Sequence, residues 1–210
     1  MVELSITQLR LIEYKLALQG VRLPKLASIL LLAVLASGQS TAPHSSITIH
    51  VHKAGMLSAF GHNHTVVAPV AQGRFDTKAM TADVVVEAKQ LKVTDSDVSE
   101  KDRQEVQTTM LGPKVLDSEK YPQIHFASSR IVETSPQHLR VTGKLDLHGV
   151  TRELSFEMTG GPDHYRGTTR LKQTDFGIQP VSGGGGTVKV QNEIDLDLDI
   201  FISDFMGAKK

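Results

Sequence analysis

From residue 46 onward the chain alternates apolar and polar positions with a period of two. Between His138 and Leu147, Leu139, Val141, Leu145 and Leu147 fall on one face, and Arg140, Thr142, Lys144 and Asp146 on the other. After a turn over His148–Thr151 the alternation resumes, with Leu154, Phe156 and Met158 opposed to Glu153, Ser155 and Glu157. Successive strand residues point to opposite faces, so this pattern predicts a hairpin with one dry face and one wet face. Six further segments read as strands: 46–53, 65–75, 81–88, 123–132, 164–172 and 188–202. Pro69 lies inside the second of these and predicts an edge, a bulge or a bend. The last is the plainest, with Ile194, Leu196, Leu198, Ile200 and Ile202 against Asp195, Asp197 and Asp199. Aspartate is a poor strand residue, so that outer face must be in water.

Eight strands divided in this way predict an all-β domain. A closed antiparallel barrel removes exposed sheet edges, and a two-sheet sandwich is its rival. An eight-stranded barrel can be filled by side chains or hold one small ligand. One helix is expected near residues 99–111: Ser99 caps it, Glu100 and Asp102 lie in its first turn, and Gly112-Pro113 ends it. It sits in a long connection, 91–122, which is read either as a lid or as a plug for one end of the barrel. The run from Gly183 to Gly186 reads as a loop and lacks the spacing of a phosphate-binding motif.

Composition narrows the chemistry. The 210 residues carry 23 basic and 23 acidic side chains, with no basic patch, which argues against nucleic acid as a partner. There is no cysteine, so disulfides, thiolate metal sites and cysteine catalysis are excluded. Arg22 and Lys25 followed by the apolar run 26–36 and small residues up to Ala42 read as a secretory signal. The alternative for that run is a buried core helix. The 21 residues ahead of it fit a start site placed too early. Residues 1–42 are therefore assigned to an N-terminal extension and signal peptide, and 43–205 to the folded domain, with no transmembrane anchor after processing. With residues 1–42 removed, the rest of the chain keeps 19 basic and 21 acidic residues.

Histidines are the other candidates for chemistry. His62 and His64 share one face of an extended segment, and His50 and His52 repeat the spacing, so a histidine metal site is geometrically conceivable if the two segments pair. No third ligand stands at a diagnostic spacing, and histidines hydrogen-bonded in a loop are the simpler reading. His148 reads as a turn-former rather than a buried base. No nucleophile elbow, triad or carboxylate pair is legible, so no catalytic residue and no metal ligand is assigned, and the protein is not expected to be an enzyme.

The blocks Lys120-Tyr121-Pro122-Gln123-Ile124-His125-Phe126 and Val141-Thr142-Gly143-Lys144-Leu145-Asp146-Leu147-His148-Gly149-Val150-Thr151 resemble the YceI-like family, and Gly73-Arg74-Phe75-Asp76 and Asp175-Phe176-Gly177-Ile178 look like further landmarks of it. The resemblance runs from about Ser45 to Ile202. It implies a periplasmic or secreted protein with an eight-stranded antiparallel lipocalin-like barrel that holds a polyisoprenoid or isoprenoid-quinone chain in an apolar cavity. No other cofactor is implied, and a homodimer is left open. Departures from the family pattern fall at Lys53, at Val106-Gln107-Thr108-Thr109-Met110, at Val115-Leu116-Asp117, and in the Phe60-Gly61-His62-Asn63-His64 segment. The expected wall residues are Ile49, Val51, Phe75, Val86, Phe126, Leu145, Leu147, Phe156, Met158, Leu196 and Leu198. The alternatives are a histidine-dependent metal protein or enzyme using His62 and His64, and an envelope stress or interaction protein without a small ligand.

Overall fold

A computed structural model describes residues 44–54, 62–183 and 188–206. The expected signal segment and most of the glycine run lie outside the described residues. The elements in chain order are β1 (Ser46–Ala54), β2 (His64–Pro69), β3 (Gln72–Asp76), β4 (Thr81–Glu87), β5 (Lys92–Val93), α1 (Glu100–Leu111), β6 (Gln123–Ser135), β7 (His138–Leu147), β8 (Val150–Gly161), β9 (His164–Lys172), β10 (Ser182–Gly183) and β11 (Val188–Phe201). The strands form one antiparallel sheet in the order β3-β4-β6-β7-β8-β9-β11-β1-β2-β5, with β10 added beside β11.

The predicted strand over 65–75 is one bent segment that the corner at Pro69 divides into β2 and β3. Its first half pairs with β1 and its second half with β4. At the corner the Val70 amide donates to the Ser45 carbonyl and the Ala71 amide to that of Val85. One stretch of chain thus joins the two ends of the curled sheet. The count differs from eight because of this bend and because β5 and β10, each two residues long, carry no periodic signal.

The inward positions follow the expected alternation with one correction. A bulge interrupts β6 between Ser128 and Arg130 where it pairs with β7. The extra residue reverses the phase of the strand. Phe126 points inward before the bulge; after it Ile131 and Glu133 do, and Val132 is turned out to 37% exposure. Gly143 on β7 leaves room for Phe126, whose Cζ would lie 2.6 Å from any Cβ built there.

α1 begins as expected. The Ser99 hydroxyl oxygen accepts from the Asp102 amide at 3.1 Å, and Gly112 ends the helix. Gln107 ties the helix to β5: its Oε1 accepts from the Val93 amide and its Nε2 donates to the Leu91 carbonyl, each at 2.8 Å.

The family-like blocks meet at this same end of the barrel. His148 and Gly149 form the two-residue β7–β8 turn with φ of 54° and 72°, the left-handed pair of a twisted hairpin. The His148 Nδ1 lies 3.2 Å from the Phe176 carbonyl oxygen, and its ring packs on Tyr121 at 4.6 Å. The His148 side chain therefore binds the 173–178 segment rather than its own turn.

On the outer face the aspartates of β11 are paired with side chains of neighbouring strands. Asp195 accepts from Arg170 Nε at 2.6 Å and faces His52 at 3.1 Å; Asp197 faces His50 at 2.9 Å; Asp199 is bonded to His164 and Arg166. The Arg170 guanidinium holds the Asp195 carboxyl below the usual carboxylate range against the opposing effect of desolvation, and His52 adds to the lowering.

A Cβ at Gly149 would meet the Tyr121 ring at 2.5 Å on a left-handed backbone, so Gly149→Ala is expected to cost about 1–3 kcal/mol in urea unfolding. A loss below about 0.5 kcal/mol would contradict the packing described, since only an unstrained, uncrowded site escapes a clear loss and there the replacement stabilises instead. Because the Asp195 pKa is lowered on folding, its contribution is present above the unfolded carboxylate value and is lost as pH falls through the folded one. Asp195→Asn should therefore show a shallower loss of Tm than the wild type as the pH falls below about 4; parallel curves would refute the pairing.

Candidate ligand-binding site

The inside of the barrel has two unlike halves. At the end that carries the β7–β8 turn and α1, the space is filled. Val86, Leu147, Leu171, Leu91, Leu116 and Phe176 belong to one buried cluster, against which Val106 and Met110 of the helix pack. The 91–122 connection is therefore the plug of the two readings and not a lid. At the opposite end, which carries the β3–β4, β6–β7 and β8–β9 turns, a cavity of about 530 Å³ remains. Binding sites for small molecules run from about 300 to 1,000 Å³.

Its wall is apolar: Val84, Val141, Leu145, Phe156, Met158, Leu196, Leu198 and Ile200 are among the residues that line it. The rings of Phe126 and Phe156 meet at 5.6 Å across the wall. The exposed lining residues, Thr77, Met80, Glu133, Gln137 and Pro162, all stand at or beside the three turns, which makes that end the mouth. Met80 and Gln137 have φ of 52° and 65°, uncommon for residues other than glycine. The Gln137 carbonyl accepts from the Gly160 amide at 3.0 Å and so joins two of the turns. Phe205 covers β3 from the C-terminal side, its ring 2.6 Å from where a Cβ of Gly73 would sit.

Of the expected wall residues, Phe75, Phe126, Leu145, Phe156, Met158, Leu196 and Leu198 line the cavity. Val86 and Leu147 belong to the filled half, and Ile49 packs against it. Val51 is half-buried on β1, paired with His64 and Ile194 toward the filled end. Alternation tells which face is inward but not at which height a residue stands, so these four could not be separated from the others in the sequence. The lining residues Met80, Ile131, Glu133, Gln137 and Tyr165 were not anticipated. Ile131 and Glu133 were hidden by the bulge, and the turn residues carry no periodic signal.

The histidines do not assemble. His50 and His52 face outward to Asp197 and Asp195, whereas His64 is in register with inward Val51. His64 Nδ1 lies 2.7 Å from Asp95 Oδ2, and the other oxygen of that carboxylate accepts from the Thr65 amide at 2.6 Å. The Asp95 side chain is only 2% exposed. His62 is exposed. Among the described residues no group of three or more histidines and carboxylates is arranged to hold a metal ion, and the described helices include none long and apolar enough to cross a membrane.

Fold and cavity together define a plugged antiparallel β-barrel with an apolar interior that opens at the end carrying the three turns. The chain belongs to the YceI-like domain family, whose profile matches residues 39–202. It is similar to a UPF0312 protein of Vibrio parahaemolyticus, 29% identical over 162 residues that cover 72% of this chain and 81% of that one. A UPF0312 protein of Pseudomonas putida strain W619 is 38% identical over 97 residues, 41% of this chain; the match spans about half (46%) of that relative's length. Among solved structures, Burkholderia cenocepacia BcnA superposes with a TM-score of 0.52 at 18% identity, over 74% of this chain and 94% of that one, a likeness of fold.

The division into halves predicts unequal costs of truncation. Leu147→Ala, in the filled half, should cost about 2–5 kcal/mol. Leu139→Ala, half-buried on the wall of the hollow half, should cost less than about 1.5 kcal/mol, since its side chain borders the cavity and is not enclosed on all sides. Equal losses in chemical denaturation would contradict the hollow half.

Proposed function

We propose that this protein binds an isoprenoid-type lipid in the hollow half of its barrel and acts by holding it, without catalysing a reaction on it. The observation that carries the reading is the apolar cavity of about 530 Å³, whose exposed lining residues stand together at one end of the barrel. A long apolar chain dissolves poorly in water, and its burial is favourable by roughly 0.8 kcal/mol per methylene. The cavity wall supplies that burial while the polar residues stay at the rim. Family membership supports the reading. The Arg22–Ala42 segment supports a periplasmic or secreted location, where lipids that have left a membrane need a soluble carrier.

Organic extraction of the purified protein followed by mass spectrometry tests this directly. A prenyl lipid should be recovered near one per chain. An isoprenoid alcohol should also displace a hydrophobic fluorophore from the stripped protein. Leu139→Trp, which puts an indole into the hollow half, should weaken that displacement at least tenfold. Recovery of no lipid together with no displacement would overturn the reading.

A further inference from the structure

We propose that the cavity accepts one uncharged isoprenoid chain of about three isoprene units, tail down, and that any further length stays outside the mouth. This rests on the lipid-binding reading above and assigns it a size and a head group.

The floor is set by residues that serve both halves. Leu145, Leu154, Leu196 and Phe126 line the cavity and also pack against the filled cluster. Behind them Leu147 and Leu171 are 8% and 7% exposed, so the space stops there. On β7 the wall runs from Leu139 to Leu145, six positions along one strand. At about 3.3 Å per residue that is roughly 20 Å, and a barrel tilt of about 40° leaves a depth of about 15 Å. An extended chain covers about 3.6 Å in the three bonds of one residue, so about 12 bonds span that depth. Each isoprene unit contributes four chain bonds, which gives three units.

The rim selects the head. Glu133 is the single charged side chain among the lining residues, and Thr77 and Gln137 stand with it at the mouth. A carboxylate repels a phosphate and can accept a hydrogen bond from a hydroxyl. The rim therefore favours an alcohol or another uncharged head over a diphosphate.

A displacement series on the intact, lipid-stripped protein tests this, with linear isoprenoid alcohols of two, three, four and five units and the three-unit diphosphate as probes. Affinity should rise at least tenfold from two to three units and then change less than threefold at four and five. The diphosphate should bind at least tenfold more weakly than its alcohol, and Glu133→Gln should narrow that gap. Leu196→Ala, which lowers the floor, should move the plateau to four units; if that variant does not fold, the wild-type series decides alone. Continued tenfold gains at four and five units would overturn the length limit and leave the binding reading standing. A diphosphate that binds more tightly than the alcohol would overturn the head-group assignment. Failure of every alcohol to displace the fluorophore would overturn both this proposal and the binding reading.

Discussion

A sheet with one apolar face is stable in water only if that face is enclosed and its edges are closed. In this protein enclosure depends on a single bend. The segment from His64 to Asp76 belongs to β1 over its first half and to β4 over its second, and it changes partner at Pro69, where the backbone offers no amide hydrogen. The amides of Val70 and Ala71 bond one to each neighbour. Without that transfer the sheet would end in two open edges, and the apolar residues on β7, β8 and β11 would face solvent rather than one another.

Once the sheet is curled, its two ends meet different fates. The loops at one end bring apolar residues of their own. Leu91, Val93, Leu116, Phe176 and Ile178 enter the barrel, and Gln107 holds the helix over them. Tyr121, His148 and Phe176, from three separate blocks of sequence, converge there around the β7–β8 turn. At the other end the turns are short and carry little apolar mass, so the space between the strands is not filled. The cavity is a consequence of where the plug stops.

The outer face shows a second economy of residues. Three aspartates on β11, at positions where strand propensity is poor, are matched by arginines and histidines on β9 and β1. Exposed pairs of this kind contribute little to stability. Their larger effect is on register, because a slip by one residue would carry the aspartates to the apolar side. His50 and His52 belong to this ladder. The buried contact between His64 and Asp95 instead fixes the 94–95 segment against β2, with the Thr94 amide donating to the Thr65 carbonyl.

The sequence by itself determined the strands, their inward faces, the capped helix and the family, because alternation, capping and turn chemistry are local properties written over a few neighbouring residues. Leu145, Phe156 and Leu198 were legible as inward for this reason. Height within the barrel was not legible, so Val86 and Leu147 could not be told from Phe75 and Met158. The bulge at Ser129 was not legible either, since one unpaired residue leaves the composition of β6 unchanged while reversing the face of Ile131 and Glu133. Tertiary structure decided that the long connection plugs the barrel, that the cavity lies at the opposite end, and that the histidines are divided between two faces of the sheet. Each of these depends on which distant segments share one space, and no local pattern encodes that.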